Sequence, residues 1–409
     1  MKRQLLSALV ASAFALAPVA MAQPKPAAVG KFSDGIVKIG VLTDMSGLYS
    51  DLGGQGSFIA AQMAVADFGN QLGNVKIEVV SADHQNNAET GANRMREWFD
   101  RQQVDMVTDL LNSAVGIATA KVANEKKRLA INVGAGSTRI TNEDCNPHTI
   151  HYAYDTYALG YGTGKAIVKT GGDTWFFLTA DYAFGHSLEK DTADVVKANG
   201  GKVLGQVRHP LNAADFSSFL LQAQSSKAKI IGLANAGGDT INAIKAANEF
   251  GITKNQNLAG LLVFITDIHS LGLNTAQGML LTDGFYWDMD DKTRAFSKRF
   301  FEKAKKMPSM VHAGVYSATM NYLKAVKAAG TDDAATVVAT LKKSNVDDFF
   351  LRNGKLREDG RMIHDMYLMQ VKKQADSKYP WDYYTLKATI PAAEAFQPMS
   401  ASRCPMVKK

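Results

Sequence analysis

Short strand-like runs alternate with helical apolar patterns along most of this chain, and that alternation limits the possible folds more than any other feature. The first series of predicted strands and helices comprises Ile36–Thr43, Gly56–Phe68, Val75–Ser81, Ala88–Asp100, Met106–Leu110, Ser113–Glu125 and Leu129–Val133. The second series comprises Asp173–Leu178, Gly185–Asn199, Lys202–Val207, Phe216–Ser225, Lys229–Leu233 and Asp239–Phe250. Strands that alternate with helices predict a parallel sheet covered by helices on both faces. Two series predict an α/β protein made of two doubly wound lobes.

The composition is that of a globular protein. Hydrophobic residues make up 46% and charged residues 21% of the 409, which excludes an intrinsically disordered chain and a polytopic membrane protein. The length suffices for about two domains, each with its own core. The net charge of +7 is small for this length and the basic residues form no run, so we expect no nucleic-acid partner.

The first 22 residues have the pattern of a secretory signal peptide. Lys2 and Arg3 give a positive start, an apolar stretch runs from Leu5 to Ala17, and Ala20-Met21-Ala22 offers a cleavage site. The apolar stretch is short for a membrane-spanning helix, and an uncleaved anchor is the alternative. No Cys follows the cleavage site, which excludes the lipid anchor of a bacterial lipoprotein. We expect cleavage after Ala22 and a soluble periplasmic protein.

Export changes what the two cysteines indicate. Cys145 and Cys404 each lie among polar residues and near a proline, as residues of loops do. In an oxidising compartment such a pair favours a disulfide, which would tie the C-terminal tail to the middle of the chain. Two unpaired buried thiols are the alternative. A metal site is less favoured, because no His lies at ligand spacing from either Cys.

The turns after the strands are where a doubly wound sheet binds its ligands. Gly53-Gly54-Gln55-Gly56 comes too far after the first strand, and in the wrong spacing, for a dinucleotide fingerprint. Gly134-Ala135-Gly136-Ser137-Thr138 lacks the Lys of a P-loop, but it presents backbone N–H groups that suit a small anion. Asn112-Ser113 predicts an N-cap for the third helix and further donors for a ligand.

Patterns that indicate catalysis are missing from the sequence, which has no G-x-S-x-G, H-E-x-x-H or C-x-x-C motif. His148 and His151 lie close together without a further ligand nearby. The acidic cluster Asp288-Met289-Asp290-Asp291 lacks the Gly and the terminal Glu of a calcium loop. We therefore expect no enzymatic activity, no metal and no cofactor.

Six stretches of the chain together resemble one known family: Val37–Val65, Val79–Glu97, Asp109–Thr141, Phe177–Ala193, Asp215–Ser226 and Gln277–Leu281. With the signal peptide, they make the chain similar to the type I periplasmic solute-binding proteins of ABC importers, nearest to the Leu/Ile/Val-binding branch. The resemblance implies two α/β lobes joined by a three-segment hinge that closes on the ligand. It places the first lobe at residues 32–155 plus 286–345, the second at 156–285 plus 346–395, and a tail at 396–409.

The resemblance also implies which residues bind the ligand. In the first lobe, donors from two turns would hold a ligand carboxylate, and in the second lobe aromatic side chains would cover the ligand. The residues implied are Leu52, Asn112, Ser113, Gly134, Ala135 and Gly136 in the first lobe, and Tyr182, Phe184, Asn235, Ala236, Thr266 and Asp267 in the second.

The sequence departs from the amino-acid binders of this family at several of these positions. Ala236 stands where those proteins usually have an aromatic residue, and Leu52 stands where they have Tyr. Asn112 and Gly136 replace two hydroxyl-bearing residues. Asp267 matches the acid that takes an α-ammonium group only if the alignment shifts by a residue or two. An aromatic or other organic acid is therefore the favoured ligand, with an amino acid and an amide or urea-like solute as alternatives.

The function implied by the resemblance is capture of a small solute and its delivery to the membrane permease of an ABC importer by a monomeric protein. A ligand-sensing module that signals to a membrane partner is the alternative that shares every residue named above. A secreted α/β hydrolase is a further alternative, but it requires a nucleophile and a base that no spacing in the sequence joins.

Overall fold

The first sheet of the molecule has six strands. In the computed structural model, which describes residues 31–408, they are β1 (Ile36–Thr43), β2 (Gln71–Leu72), β3 (Val75–Asp83), β4 (Met106–Asp109), β5 (Leu129–Asn132) and β6 (Thr149–His151). Their order is β2-β3-β1-β4-β5-β6, and only the short edge strand β2 is antiparallel. Three helices connect them: α1 (Gly54–Phe68), α2 (Ala88–Arg101) and α3 (Ser113–Lys126). This sheet is the core of what we call the first lobe.

The second sheet has four parallel strands and forms the core of the second lobe. The chain enters it through α4 (Thr156–Leu159) and α5 (Lys165–Lys169). The strands are β7 (Thr174–Ala180), β8 (Lys202–His209), β9 (Ile230–Ala234) and β10 (Asn257–Gly260), in the order β10-β9-β7-β8. The helices are α6 (Ala183–Ala198), α7 (Ser217–Ser225), α8 (Gly237–Glu249), α9 (Ile265–Leu271) and α10 (Leu273–Ala276). Both parallel sheets agree with the predicted α/β fold class.

The last third of the chain adds elements to both lobes, and the sequence did not predict them. After β11 (Leu280–Asp283) come three helices, α11 (Asp291–Ala304), α12 (Met310–Ala329) and α13 (Ala334–Lys343), of which α11 and α12 pack on α1. The strands β12 (Asn345–Val346), β13 (Gly354–Leu356) and β14 (Met362–Ile363) form a small antiparallel sheet. The strands β15 (Met366–Val371) and β16 (Tyr384–Ile390) add a second antiparallel sheet, in which β15 pairs with both β11 and β16, and α14 (Ala392–Ala395) follows.

A fully buried arginine fixes the segment that leads from the first lobe to the second. Arg361 donates hydrogen bonds to the backbone oxygens of Tyr154 (2.7 Å) and Tyr152 (3.1 Å), and its guanidinium lies 3.7 Å from the Asp155 carboxylate. His364 reaches the Ala153 oxygen at 2.7 Å. Late residues of the chain thus hold the first crossing between the lobes. The exact lobe boundaries stay a prediction.

The predicted disulfide between Cys145 and Cys404 is present, with a Cα–Cα distance of 5.6 Å. It fastens the C-terminal tail to the first lobe, together with two contacts of Arg403. The Arg403 backbone N–H donates to Asn142 Oδ1 (2.8 Å), and its Nε donates to Glu143 (2.7 Å). In residues 31–408 no helix is long and apolar enough to cross a membrane. The predicted signal peptide and its cleavage site after Ala22 lie outside the described residues.

Candidate functional site

A narrow cleft between the two lobes gathers most of the residues that the sequence indicated. The cleft is almost filled: about 10 Å³ of it admits the centre of a water-sized sphere, and the space between its atoms, open solvent included, is about 250 Å³. Eight of the twelve predicted site residues line it: Leu52, Asn112, Ser113, Gly134, Gly136, Tyr182, Phe184 and Ala236. The other lining residues are Tyr49, Leu111, Tyr154 and Leu262. All twelve lie in segments that follow the carboxyl end of a parallel strand, where an α/β sheet binds its ligands.

The turn from β4 into α3 has a strained backbone. Asp109 (φ 74°), Leu110 (φ 57°) and Asn112 (φ 150°) all have positive φ angles, which non-glycine residues seldom adopt. Asn112 is the predicted N-cap, and its side-chain oxygen accepts hydrogen bonds from the N–H groups of Ala114 (2.8 Å) and Val115 (3.2 Å). The turn thereby presents the N-terminus of a 14-residue helix to the cleft, and a helix N-terminus attracts negative charge.

The hydroxyl of Ser113 is arranged as a donor toward the cleft. Its oxygen accepts the backbone N–H groups of Gly136 (3.2 Å) and Ser137 (3.0 Å). Because those bonds occupy both acceptor positions, the hydroxyl can interact with a ligand only through its own proton. These bonds join the two predicted turns into one donor site in the first lobe, in which the Ser113 hydroxyl, and not the N–H groups of Gly136 and Ser137, is free to donate to a ligand.

Gly136 explains one departure from the amino-acid binders. A Cβ at this position would lie 2.7 Å from the Tyr154 ring and 2.9 Å from the Phe184 ring. Contacts that short leave no room for the hydroxyl-bearing side chain that the family resemblance implies. The rings of Tyr154, in the first crossing segment, and Phe184, in the second lobe, occupy that space instead.

The second lobe contributes the first residues of two helices. Tyr182 precedes α6 and Phe184 lies in its first turn, with their ring centroids 6.1 Å apart. Ala236 precedes α8, where Gly237 has φ 57° and lies so near the first lobe that a Cβ would be 2.8 Å from the Leu48 oxygen. The side chain of Ala236 is small where the amino-acid binders carry a ring, and the aromatic wall comes from the start of α6.

Direct hydrogen bonds join the two lobes around the cleft, so the structure is a closed form. The hydroxyls of Tyr49 and Tyr182 lie 2.7 Å apart, and burial raises the pKa of both phenols, which keeps them neutral. Nearby, the Thr138 hydroxyl donates to Asp191 of α6 at 2.9 Å. The hydroxyls of Ser137 and Ser187 are 2.6 Å apart.

Four predicted site residues lie outside the cleft lining, and their role as ligand contacts stays a prediction. Ala135 packs against Ile117 and Ile140. Asn235 is fully buried and bonds to His209 and Thr240 within the second lobe. Thr266 and Asp267 lie in the first turn of α9, where Asp267 accepts the Phe264 N–H at 2.9 Å. Burial raises the pKa of Asp267 to about 7.

The four lining residues that were not predicted from the sequence all follow the carboxyl end of a strand. Tyr49 follows β1, Leu111 follows β4, Tyr154 follows β6 and Leu262 follows β10. The carboxyl-end rule would have indicated all four, had β6 and β10 been predicted as strands. Tyr154 also holds the donor turn in place, since its hydroxyl donates to the Gly134 oxygen at 2.6 Å.

The electrostatics of the cleft are those of an uncharged pocket. The twelve lining residues include no Asp, Glu, Lys or Arg. Within the described part of the chain, no group of three or more His, Cys, Asp or Glu side chains is placed to hold a metal ion. The polar side chains that line the cleft are the hydroxyls of Ser113, Tyr49, Tyr154 and Tyr182 and the amide of Asn112. These can orient a small ligand, with apolar side chains covering the rest of it.

Comparison with known proteins agrees with this geometry. Residues 36–377 match the family described as "Periplasmic binding protein". A periplasmic binding protein from Burkholderia mallei is 60% identical, with a TM-score of 0.90 over 91% of this chain and 100% of that one. A branched chain amino acid ABC transporter periplasmic ligand-binding protein from Burkholderia xenovorans is 42% identical, with a TM-score of 0.81 over 90% of this chain and 99% of that one. A Leu/Ile/Val-binding protein homolog from Brucella melitensis is 23% identical over 89% of this chain and 94% of its own length.

The match over residues 36–377 covers most of the chain, and the two Burkholderia structures extend it to nearly the whole described length. The resemblance inferred from the sequence is thereby confirmed, and it implies a periplasmic location. The family is one of substrate-binding proteins and not of enzymes. With its two parallel-sheet lobes and a cleft between them, the chain belongs to the periplasmic binding protein family.

Proposed function

We propose that this protein, exported and cleaved after Ala22, captures a small carboxylate-bearing solute and delivers it as a monomer to the permease of an ABC importer. An aromatic acid is the favoured ligand. The observation that carries the proposal is the Ser113 hydroxyl, which two backbone N–H groups turn into a donor at the N-terminus of α3. A carboxylate accepts such donors strongly, since hydrogen bonds to a charged acceptor are about twice as strong as neutral ones.

The remaining walls of the cleft fit a flat apolar body better than an amino acid. Tyr154, Tyr182 and Phe184 supply rings, and Leu52, Leu111 and Leu262 supply aliphatic surface. An α-ammonium group buried here without an acidic partner would be strongly unfavourable. Asp267, the one acid that the sequence offered for that role, caps α9 outside the cleft.

Capture would proceed by closure of one lobe on the other. A ligand anion would bind first to the donors of the first lobe (proposed as residues 32–155 plus 286–345). The second lobe (proposed as 156–285 plus 346–395) would then bring Tyr182 and Phe184 over it and exclude water. In this closure the lobes would make contacts such as Tyr49–Tyr182, and the ligand would stabilise the closed form by the contacts it gains there.

Related proteins support both halves of the proposal. The Burkholderia xenovorans relative is described as part of a branched chain amino acid ABC transporter, which supports delivery to a permease and keeps an amino acid as the second candidate ligand. A solute-binding protein of the same fold from R. palustris was solved in complex with benzoate. At 21% identity it shows only that this fold can hold an aromatic acid.

A thermal-shift screen of the mature protein tests the proposal, because a ligand that binds only the folded state raises the melting temperature. The panel contains benzoate, 4-hydroxybenzoate, aliphatic acids, leucine and benzamide. We expect an aromatic acid to stabilise the wild type and to lose that effect in Asn112→Ala. Asp333→Ala is the matched control: it removes the N-cap of α13 outside the cleft, so it should lower stability by about 1 kcal/mol without abolishing the ligand effect.

Each outcome of the screen separates two ligand classes. Stabilisation by leucine, and not by the acids, would contradict the aromatic-acid proposal and favour amino-acid capture. A flat response to the whole panel would contradict the carboxylate proposal and favour the sensing alternative or a solute of another class.

A further inference from the structure

A buried carboxyl group lies directly behind the donor site, and the capture mechanism above does not use it. Asp109, at the end of β4, has no exposed surface, and no donor reaches either of its side-chain oxygens in hydrogen-bonding geometry. A Cβ on Gly134 would lie 2.6 Å from Asp109 Oδ1, and a Cβ on Gly53 would lie 2.9 Å from Oδ2. Gly134 lines the cleft, so one glycine separates this carboxyl group from the ligand.

The groups packed around Asp109 offset the effect of its burial only in part. The hydroxyls of Ser57 and Thr43 lower its pKa, and the charge that acts on it in the described structure, Asp44, raises it. Tyr154 faces it from the crossing segment with a neutral phenol. His312 of α12 reaches the Gly53 oxygen at 2.9 Å, and burial lowers its pKa to about 3, so it stays neutral as well.

We propose that Asp109 takes up a proton when the first lobe binds a carboxylate, so that capture of the acid is coupled to proton uptake. This inference rests on the proposed function, since it requires an anionic ligand at Ser113. It assigns Asp109 a positioning role. The backbone oxygen of this residue accepts hydrogen bonds from the N–H groups of Val133 (3.0 Å) and Gly134 (2.9 Å), and the charge of its side chain interacts with the charge of the ligand.

The physical reason is that two buried like charges on either side of one glycine repel each other. Burial disfavours the ionised form of Asp109 more than the nearby Ser57 and Thr43 hydroxyls favour it, and it raises the pKa of this carboxyl group to about 6. A ligand carboxylate on the other side of Gly134 disfavours the ionised form further. By linkage, the protonated form must then bind the ligand more tightly, by the same factor by which the ligand favours the proton.

The coupling factor between ligand and proton determines how strongly the Kd depends on pH. Site-to-site couplings are commonly between about tenfold and 100-fold. With a pKa of about 6 in the free protein, such a coupling makes the Kd for the acid about 5- to 25-fold weaker at pH 8 than at pH 6. It also predicts uptake of about 0.4 to 0.8 proton per bound ligand at pH 7. Affinity therefore rises as the pH falls from 8 toward 6.

Calorimetric titration of the mature protein with benzoate, or with the acid from the panel that stabilises it most, tests the inference. The titration is run at pH 7 in two buffers of different ionisation enthalpy, which gives the number of protons taken up, and the Kd is measured at pH 6 and pH 8. Asp109→Asn keeps the shape of the side chain and removes its charge. We expect this variant to bind the acid without proton uptake at position 109 and with the same Kd at pH 6 and pH 8. At pH 8 its Kd should be lower than that of the wild type.

Asp105→Asn is the matched control, because Asp105 is also buried with a pKa raised to about 6 but lies at the opposite end of β4. This control should keep the wild-type proton uptake. If Asp109→Asn does not fold, Asp109→Ser replaces it with the same expected result. An Asp109 variant with wild-type proton uptake and pH dependence would overturn the inference and leave the proposed function intact. Failure of the wild type to bind any acid would overturn both.

Discussion

Replacement of Gly136 by Ala should block closure of the cleft more than it disturbs the fold. The added methyl group would lie 2.7 Å from the ring of Tyr154 and 2.9 Å from the ring of Phe184. Carbon atoms in contact are normally separated by about 3.5–4.0 Å. Both rings would have to move by about 1 Å, and only Phe184 belongs to the lobe that swings away when the cleft opens. Gly136 does not have a positive φ angle, so the effect of the substitution is steric and not conformational.

The magnitude follows from the range known for overpacked sites. Insertion of one methyl group into a closely packed site is unfavourable by about 1–3 kcal/mol. The overlap with Tyr154 persists in the open form and lowers stability, whereas the overlap with Phe184 acts only on closure. If most of this energy disfavours the closed form, the Kd for the ligand weakens about 5- to 150-fold, at about 1.4 kcal/mol for each factor of ten.

Two measurements check this prediction. Calorimetry gives the Kd of Gly136→Ala for the best acid, and small-angle X-ray scattering shows whether a saturating ligand still makes the protein more compact. Gly40→Ala is the matched control, because its Cβ would lie 2.5 Å from the Trp98 ring, inside the first lobe alone and away from the residues that line the cleft. The control should lose stability and keep its affinity.

Wild-type affinity and a normal ligand-induced compaction in Gly136→Ala would contradict this prediction. Such a result would mean that the rings of Tyr154 and Phe184 do not approach Gly136 when the ligand is bound. Steric exclusion would then not be the reason why a hydroxyl-bearing residue is missing at this position.

Three other substitutions or titrations probe contacts at and around the cleft. Tyr49→Phe leaves the Tyr182 hydroxyl buried without its partner, so the Kd should weaken by the equivalent of about 1–3 kcal/mol, and the double variant Tyr49→Phe/Tyr182→Phe should bind better than the single one in the same titration. Cys404→Ser opens a loop of 259 residues and should lower the free energy of unfolding in urea by up to about 5 kcal/mol, with little change in Kd because the disulfide lies outside the cleft. Burial lowers the pKa of His312 to about 3, so its imidazole should remain neutral down to about pH 5 in an NMR titration. As the pH falls below about 6.5, His312 takes up a proton in the unfolded chain but not in the folded protein, so the free energy of unfolding should decrease. A titration midpoint of His312 near about pH 6.5 in the folded protein would contradict its burial.

Most strands of the parallel sheets could be predicted, because they carry short apolar or β-branched runs and are followed by helices. Ile230–Ala234, for example, is buried along its whole length and has the run of apolar residues that such burial requires. The antiparallel sheet of β11, β15 and β16 could not be found in this way. Its first strand lies far from the other two in the chain, and five of the seven residues of Tyr384–Ile390 are exposed, so the pattern carries little hydrophobic signal.

The structure brings predicted residues to the cleft where a local signal defines the turn, and it places outside the lining some residues whose side chains bond to distant partners. The cap formed by Asn112 follows from its place before a helix, and the structure confirms it. Asn235 looks equally suited to bind a ligand, but His209 and Thr240 occupy its polar atoms. Phe184 lies near Gly136 because the two lobes approach each other, and a local sequence pattern carries no information about that approach.

Selection of a carboxylate by the donor site around Ser113 is the proposal on which the others depend. Its most direct test is a calorimetric titration of the mature protein with the best-binding aromatic acid and with the primary amide of that same acid, which has nearly the same shape but no charge. We expect the acid to bind and the amide to bind at least about 100-fold more weakly, since the amide forgoes the charge-assisted hydrogen bonds. Equal affinity for the acid and the amide would contradict selection of a carboxylate.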